Sequence, residues 1–401
     1  MTLPDIEVGL SEEAQSVREA AHCFAEEVMR PAAAALDKLQ DPADVIAEQS
    51  PLWEVFDRYH EIGIEDLETT GADLAPAEAA KLRAIVNEEL GWGDSGLAVS
   101  LGAAGMHRVF ARMSGRPALI ERFCSPGARE IGCWAITEPD HGSDSLGFNQ
   151  PHFSDSALRA NCIAHREGDE FVIRGQKAAW VSNGSIADVA SLFCTIDGDR
   201  GFAGGGVALV PMDLPGVGRG KPLDKLGQRA LNQGEIFFDD VRIPADYMVV
   251  GADAYVTIVE FVLATANAFM GATFCGVARA ALEHALAYAR EREQGGVPII
   301  EHQSVKSRLF EMFSRLEAAR SLARRVAVYN GTQAPLVQFS IASKVFCTNT
   351  AFAVASGALQ IYGGNGLSRE YPVEKLLRDA RASMIEDGCN EVLGLLAAGK
   401  L

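Results

Sequence analysis

Basic side chains are scarce in this 401-residue chain, with 36 Lys and Arg against 54 Asp and Glu, for a formal net charge of −18. A field of that sign repels nucleic acid phosphates and anionic membrane surfaces, so neither is expected as a partner. Any site for an anionic small molecule then depends on local basic groups and backbone N–H donors. The 8 cysteines (Cys23, Cys124, Cys133, Cys162, Cys194, Cys275, Cys347 and Cys389) include no CxxC pair and no histidine partner at zinc spacing. That excludes a zinc finger and a disulfide framework and leaves reduced, mostly buried thiols, with no metal site expected. The start, Met1 to Glu7, has neither the basic and apolar signature of a secretory signal nor the Arg/Ser-rich character of a transit peptide. A cytoplasmic location is the expectation.

No internal repeat is visible. Two stretches, Phe261 to Ala278 and Val345 to Ser368, carry no charge, but they are rich in Ala, Gly, Thr, Ser and Asn rather than Leu and Ile. The first runs on into Arg279 and Glu283 along one helical pattern, and the second contains Gly363-Gly364-Asn365-Gly366. Buried bundle helices are expected there, not membrane spans. The run Pro215 to Pro222 lacks phosphate-loop glycine spacing, and Pro222 stands where a magnesium-binding hydroxyl belongs; it reads as a β-turn linker.

What is present suits a folded chain of two or three sub-domains: 48% apolar and 22% charged residues. After Ser11, Val17, Ala21, Phe24 and Val28 recur at helical spacing, and Trp53 to Ile64 and Ala79 to Leu90 repeat the pattern. From Ile131 the texture changes to short β-prone runs: Phe171 to Ile173, Ala190 to Ile196, Gly206 to Pro211, and Ile236 to Phe238. Long helical patterns return from Ala254. The expected fold is α+β: an N-terminal helical domain (1–130), a β-barrel-like middle domain (131–246) and a C-terminal four-helix bundle (247–401).

Chemistry gathers in a few glycine-rich segments. Ala135 to Asp144 (AITEPDHGSD) clusters hydroxyls and glycine-exposed amides, and read alone is a turn. Gly175 to Gly184 (GQKAAWVSNG), read alone, is a core tryptophan before a turn. Lys225 to Arg229 (KLGQR) precedes IFFDDVRIP at Ile236 to Pro244. Tyr288 to Arg292 (YARER) is followed by Glu301-His302-Gln303. Gln360 to Gly366 (QIYGGNG) leads to Glu370 to Lys375 (EYPVEK), Arg378-Asp379-Ala380 and Met384 to Glu391 (MIEDGCNE).

Taken together, these segments resemble the acyl-CoA dehydrogenases from about Ile131 onward. The resemblance implies FAD, an acyl-CoA substrate, an electron-transfer flavoprotein as electron acceptor, and a homodimer or homotetramer sharing FAD across subunits. It places Thr137, Ser143, Trp180, Val181, Ser182, Arg292, Gln303, Gln360, Gly363, Gly364, Cys389 and Glu391 at the cofactor. Ser143, Asn267 and Gly388 fall at the substrate. Arg292 would hold the FAD pyrophosphate, since a guanidinium fork suits phosphate.

The chain also departs from the family pattern. His141 replaces a small residue, and Gly295 stands where phenylalanine is usual. Ala266 occupies an alternative base position, and Asn267 a common arginine position. The family's catalytic glutamate before a glycine becomes Asp387, with Glu386 in the usual tyrosine position. Asp387 is the expected base, with Glu386 its rival. The shorter carboxylate points to a cyclic or bulky acyl group, because some relatives acting on cyclic esters use aspartate. About ten extra residues between Asp144 and Gly168 are expected to reshape the substrate mouth. Two other readings stand beside this one: a flavoprotein oxidase of the same fold, such as a nitroalkane oxidase, and a weakly catalytic paralogue in a mixed oligomer.

Overall fold

The computed structural model describes residues 3–64, 74–125 and 127–401, so the first two positions of the N-terminal stretch read above lie outside it. The chain opens on helices whose starts follow local capping chemistry. Helix α1 (Glu12–Phe24) begins where Ser11 Oγ accepts the N–H of Ala14 at 3.2 Å, with Glu12 and Glu13 against the positive end of the helix. It passes through a single π turn into α2 (Arg30–Leu36). Then follow α3 (Pro51–Glu61), α4 (Pro76–Gly93), α5 (Ser95–Ala104), α6 (Met106–Met113) and α7 (Pro117–Phe123). The periodic segment Ala79 to Leu90 lies inside α4, which is buried on almost every side and carries Glu88 and Glu89 into the interior.

Those two carboxylates are paired. Glu88 meets Arg279, Arg320 and Arg324, while Glu89 meets Arg279 and His22. Asp5 closes the cluster on Arg324 at 2.7 Å. A charge this deep is tolerated only when paired, and here the pairs tie the N-terminal helices to the C-terminal bundle.

The middle of the chain forms one eight-stranded sheet: β1 (Gly132–Ala135), β2 (Ile163–Glu167), β3 (Glu170–Lys177), β4 (Val189–Thr195), β5 (Gly205–Pro211), β6 (Val217–Arg219), β7 (Ile236–Pro244) and β8 (Met248–Val250). The hydrogen-bonded order is β6-β7-β3-β2-β4-β5-β8, with β1 parallel beside β4. The β-prone runs read from the sequence fall in β3, β4, β5 and β7. Strand β4 is buried on both faces, whereas β7 alternates, turning Ile236, Phe238, Val241 and Ile243 inward. The stretch from Pro215 to Pro222 holds β6, a short strand paired with β7, rather than a turn alone.

Five helices complete the chain: α8 (Ala252–Glu291), α9 (Gln303–Thr332), α10 (Val337–Tyr362), α11 (Val373–Ser383) and α12 (Asn390–Ala398). At 40 residues, α8 is roughly 60 Å long. It is long and apolar enough to cross a membrane, but its apolar stretch packs inside this fold against α4 and α10. The second uncharged stretch ends α10 and continues into the turn Gly363–Leu367.

Candidate active site

The loop between α11 and α12 carries the predicted base. Asp387 sits at φ +51° and Gly388 at φ +91°, two successive left-handed residues. Aspartate tolerates that region better than most side chains, and glycine is required at the second position. A Cβ on Gly388 would lie 2.8 Å from Leu393 Cδ2 and 3.1 Å from Leu146 Cδ1. Among the described residues, no acceptor bonds the backbone N–H of Asp387. Burial pushes the Asp387 carboxyl up to about 6, against the opposing pull of Lys344.

Three anchors fix this loop. Ser143 Oγ accepts the N–H of Cys389 at 3.1 Å, joining the first glycine-rich segment to the start of α12. Lys344, fully buried on α10, donates from Nζ to the Gly388 carbonyl and to Asn390 Oδ1, each at 2.8 Å. Burial draws the lysine down to about 8, although the charges of Asp387 and Glu386 favour its protonated form. On the other side, Gln228 Nε2 donates to Glu386 Oε1 at 2.6 Å. Gln228 is itself left-handed (φ +49°), and its N–H donates to Asp379 Oδ1 at 2.5 Å.

The two segments expected at the flavin lie against each other. The N–H of Ala178 donates to the Thr137 carbonyl at 2.9 Å, and the buried pair Lys177 and Glu138 (2.7 Å) locks β3 to the turn after β1. Glu138 also accepts the backbone N–H groups of Asn161 and Cys162 at 2.5 and 3.0 Å. Asn183, buried and at φ +63°, accepts from Ser100 Oγ at 2.6 Å and holds the Trp180–Ser182 turn. Gln233 Nε2 donates to the Trp180 carbonyl at 3.0 Å and to Ser182 Oγ at 3.4 Å. Val181 is buried, but Trp180 is 58% exposed, so the reading of it as a core tryptophan does not hold. Its ring is free to form the wall of a site. His141, the departure from the family's small residue, meets Asp144 Oδ2 at 2.8 Å and packs edge-on to Phe202.

Arg292, Gln303, Gln360, Gly363 and Gly364 stand toward the other end of the bundle helices. Arg292 ends α8 and Gln303 begins α9, both exposed. Gln360 lines a groove of about 410 Å³ with Gln294, Gly295, Ile299, His302 and Arg308, and Gly363 (φ +60°) and Gly364 are exposed beside it. Along α10, Gln360 lies four to five turns beyond Lys344, which sits under the base loop, a separation of roughly 24 Å. Glu391 is exposed on the first turn of α12. Asn267 does not face an open site: it is fully buried on α8 and donates to the Leu263 carbonyl at 2.8 Å. Only Nδ2 turns back on the helix; Asn267 Oδ1 is buried with no hydrogen-bond partner among the described residues. Ala266 is likewise buried and brings no carboxylate. The segment after Asp144 packs against the base loop through Leu146 beside Gly388, and against α12 through Asn149, which donates to the Leu396 carbonyl at 2.9 Å.

Sequence reasoning missed Lys344 and the role of Gln228. The signal for Lys344 was available, since it is the single charged residue between Val337 and Ser368. A lone charge in an apolar helix needs a buried partner.

The whole architecture matches a solved structure, butyryl-CoA dehydrogenase from Megasphaera elsdenii, with a TM-score of 0.86 at 27% identity, covering 98% of this chain and 99% of that one. Family models for the acyl-CoA dehydrogenase middle domain and C-terminal domain match residues 133–241 and 258–401. Cyclohex-1-ene-1-carbonyl-CoA dehydrogenase of Syntrophus aciditrophicus (strain SB) is 30% identical over 324 residues, 79% of this chain and 75% of the relative. The chain belongs to the acyl-CoA dehydrogenase family. Another acyl-CoA dehydrogenase, the mitochondrial short-chain specific enzyme of Rattus norvegicus, is 34% identical over 272 residues. That match spans 68% of this chain and 63% of the rat protein, less than two thirds of the relative's length.

Proposed function

We propose that this protein is an FAD-dependent oxidoreductase that introduces an α,β double bond into an acyl-CoA thioester, with Asp387 as the base. The observation that carries the reading is the Asp387–Gly388 turn, which presents a carboxylate and an unengaged backbone N–H from one residue. Asp387 takes the proton from the α-carbon. Its own N–H donates to the thioester oxygen, where negative charge develops as that proton leaves. Burial keeps the carboxyl basic enough for this work near neutrality.

The surrounding residues fit FAD by the chemistry of their donors and surfaces. Trp180 offers an exposed flat ring, Thr137 and Ser182 offer hydroxyls close by, and Arg292 offers a cation at the far end of the bundle. When bound, FAD supplies the acceptor for the β-hydride. Arg292, Gln303, Gln360, Gly363 and Gly364 lie far from the base loop within one chain, which supports a homo-oligomer whose partner subunit brings these groups to the same cofactor. An electron-transfer flavoprotein as the onward acceptor follows the family pattern.

Aspartate in place of glutamate supports a ring-bearing or branched acyl group, which brings its α-carbon closer to a shorter carboxylate. The cyclohexene-carbonyl relative is in keeping with that choice. Anaerobic mixing of the purified flavoprotein with linear, branched and cyclic acyl-CoA esters tests the reading. Flavin bleaching is expected, fastest with a cyclic ester. A panel in which no ester bleaches the flavin would remove the dehydrogenase assignment, and peroxide formation without an added acceptor would favour an oxidase.

A further inference from the structure

Beside the proposed base stands a second carboxylate that the reaction as drawn does not use. Glu386 directly precedes Asp387, is partly buried, and is not loosely placed. Its Oε1 accepts from Gln228 at 2.6 Å, and Gln228 is pinned through its own N–H to Asp379, which pairs with Lys375 at 2.5 Å and, through that lysine, with Asp94. Behind Gln228, partly buried Lys225 donates to the Leu231 carbonyl at 2.7 Å and to Gln233 Oε1 at 2.8 Å, and Gln233 reaches Trp180 and Ser182. Because the Leu231 N–H donates to the Gln228 carbonyl at 3.0 Å, a polar chain runs through the Leu231 backbone from Glu386 to the turn expected at the flavin.

We propose that Glu386 is a positioning residue for the reaction at Asp387: held by Gln228, its charge sets the basicity with which Asp387 meets the substrate. The inference rests on the reading of Asp387 as base. Two carboxylates on adjacent residues of a partly buried loop resist ionising together, and their protons belong to the pair. Asp387 faces Lys344, and Glu386 faces Asp387, Lys344 and Lys225; Cys389 and Glu391 also face Lys344, from the start of α12. Burial and the Asp387 charge push Glu386 up to about 7.

Near neutrality, then, Asp387 is ionised while Glu386 still holds part of its proton. When Asp387 receives the substrate's α-proton, the repulsion on Glu386 falls and Glu386 releases its own proton toward solvent. The loop so keeps a nearly constant charge beside Lys344 and Lys225. As pH rises past the Glu386 transition, the second negative charge makes Asp387 a stronger base, giving the rate a second rise.

The test uses the purified flavin-bound protein, with the carboxylic C=O infrared band followed against pH and, separately, flavin reduction followed against pH. The wild type is expected to lose two carboxyl protons between about pH 5 and about 8. Glu386→Gln, nearly isosteric, is expected to lose one and to show a single-step rate profile. Gln228→Met, which removes the donor but keeps both carboxylates, moves the upper step to higher pH. Superimposable titrations and rate profiles for wild type and Glu386→Gln would overturn the inference. If Glu386→Gln fails to fold, an unmoved upper step in Gln228→Met overturns it equally. The base assignment fails separately: Asp387→Asn would then reduce flavin at near wild-type rates whatever the infrared titration shows.

Discussion

Lys344 lies directly beneath Gly388, its Nζ 2.8 Å from that residue's carbonyl oxygen, so one ammonium fixes the backbone of the base loop and faces its two carboxylates. Lys344→Met would remove a donor from Gly388 and Asn390 and a cation that favours the ionised form of Asp387. Leaving the Gly388 carbonyl without its donor and Asn390 Oδ1 with only the long bond from Thr348 Oγ1 (3.5 Å) is expected to cost roughly 2–4 kcal/mol in urea unfolding. The pH at which flavin reduction reaches half its maximum should move upward by about one unit or more. An unmoved profile in a folded variant would limit Lys344 to architecture.

Asp387→Asn removes the proposed base and keeps its shape. A well-folded yellow protein is expected, with flavin reduction by the best acyl-CoA ester slowed by about a hundredfold or more. In the wild type the rate should climb through about pH 6, because the raised carboxyl must lose its proton before it can accept another. The same shift carries the opposite sign for stability. A carboxyl raised in the fold favours folding when protonated, so this contribution is present below about pH 4 and fades as pH rises through about 6.

Glu138→Gln would strand Lys177 in the interior, because Glu138 is its carboxylate partner at 2.7 Å. Breaking a buried pair on one side costs about 3–5 kcal/mol. Thermal unfolding should report that loss, and weaker flavin retention should accompany it, since the pair holds together the segments around Thr137 and Trp180.

The cluster on α4 predicts an acid limb. Hydrogen bonds and charges from His22 and Arg279 outweigh burial and hold Glu89 down to about 2. Its contribution is complete above about pH 4.5 and is lost as pH falls toward about 2, worth about 3 kcal/mol in all. A Glu89→Gln variant should show a flatter loss of stability on acidification; a parallel curve would count against the cluster's role.

The helices and strands were legible because their signals are local. Ser11 ahead of two glutamates marks α1, and the runs that became β3, β4, β5 and β7 stand out by composition. Asp387 was legible only through the order of neighbouring motifs, since Asp-Gly alone reads as a turn, which it also is. The supports of the site come from far along the chain: Gln228 and Glu386 are 158 positions apart, and Lys344 and Gly388 are 44 apart. No periodicity records such pairings. Trp180 and Asn267 went the opposite way from bulk tendency, the aromatic outward and the amide inward, because the packing of the whole fold decides each.

Arg324 meets Asp5 across 319 positions, and Glu88 waits for Arg320 across 232. On a ribosome, the opening helices therefore emerge long before the guanidinium groups that neutralise them exist. Until α9 has left the exit tunnel, Glu88 has Arg279 of α8 but lacks Arg320 and Arg324, and its burial is only partly compensated. Assembly of this protein is thus an event of late translation, and fragments stopped ahead of α9 are natural clients for chaperones.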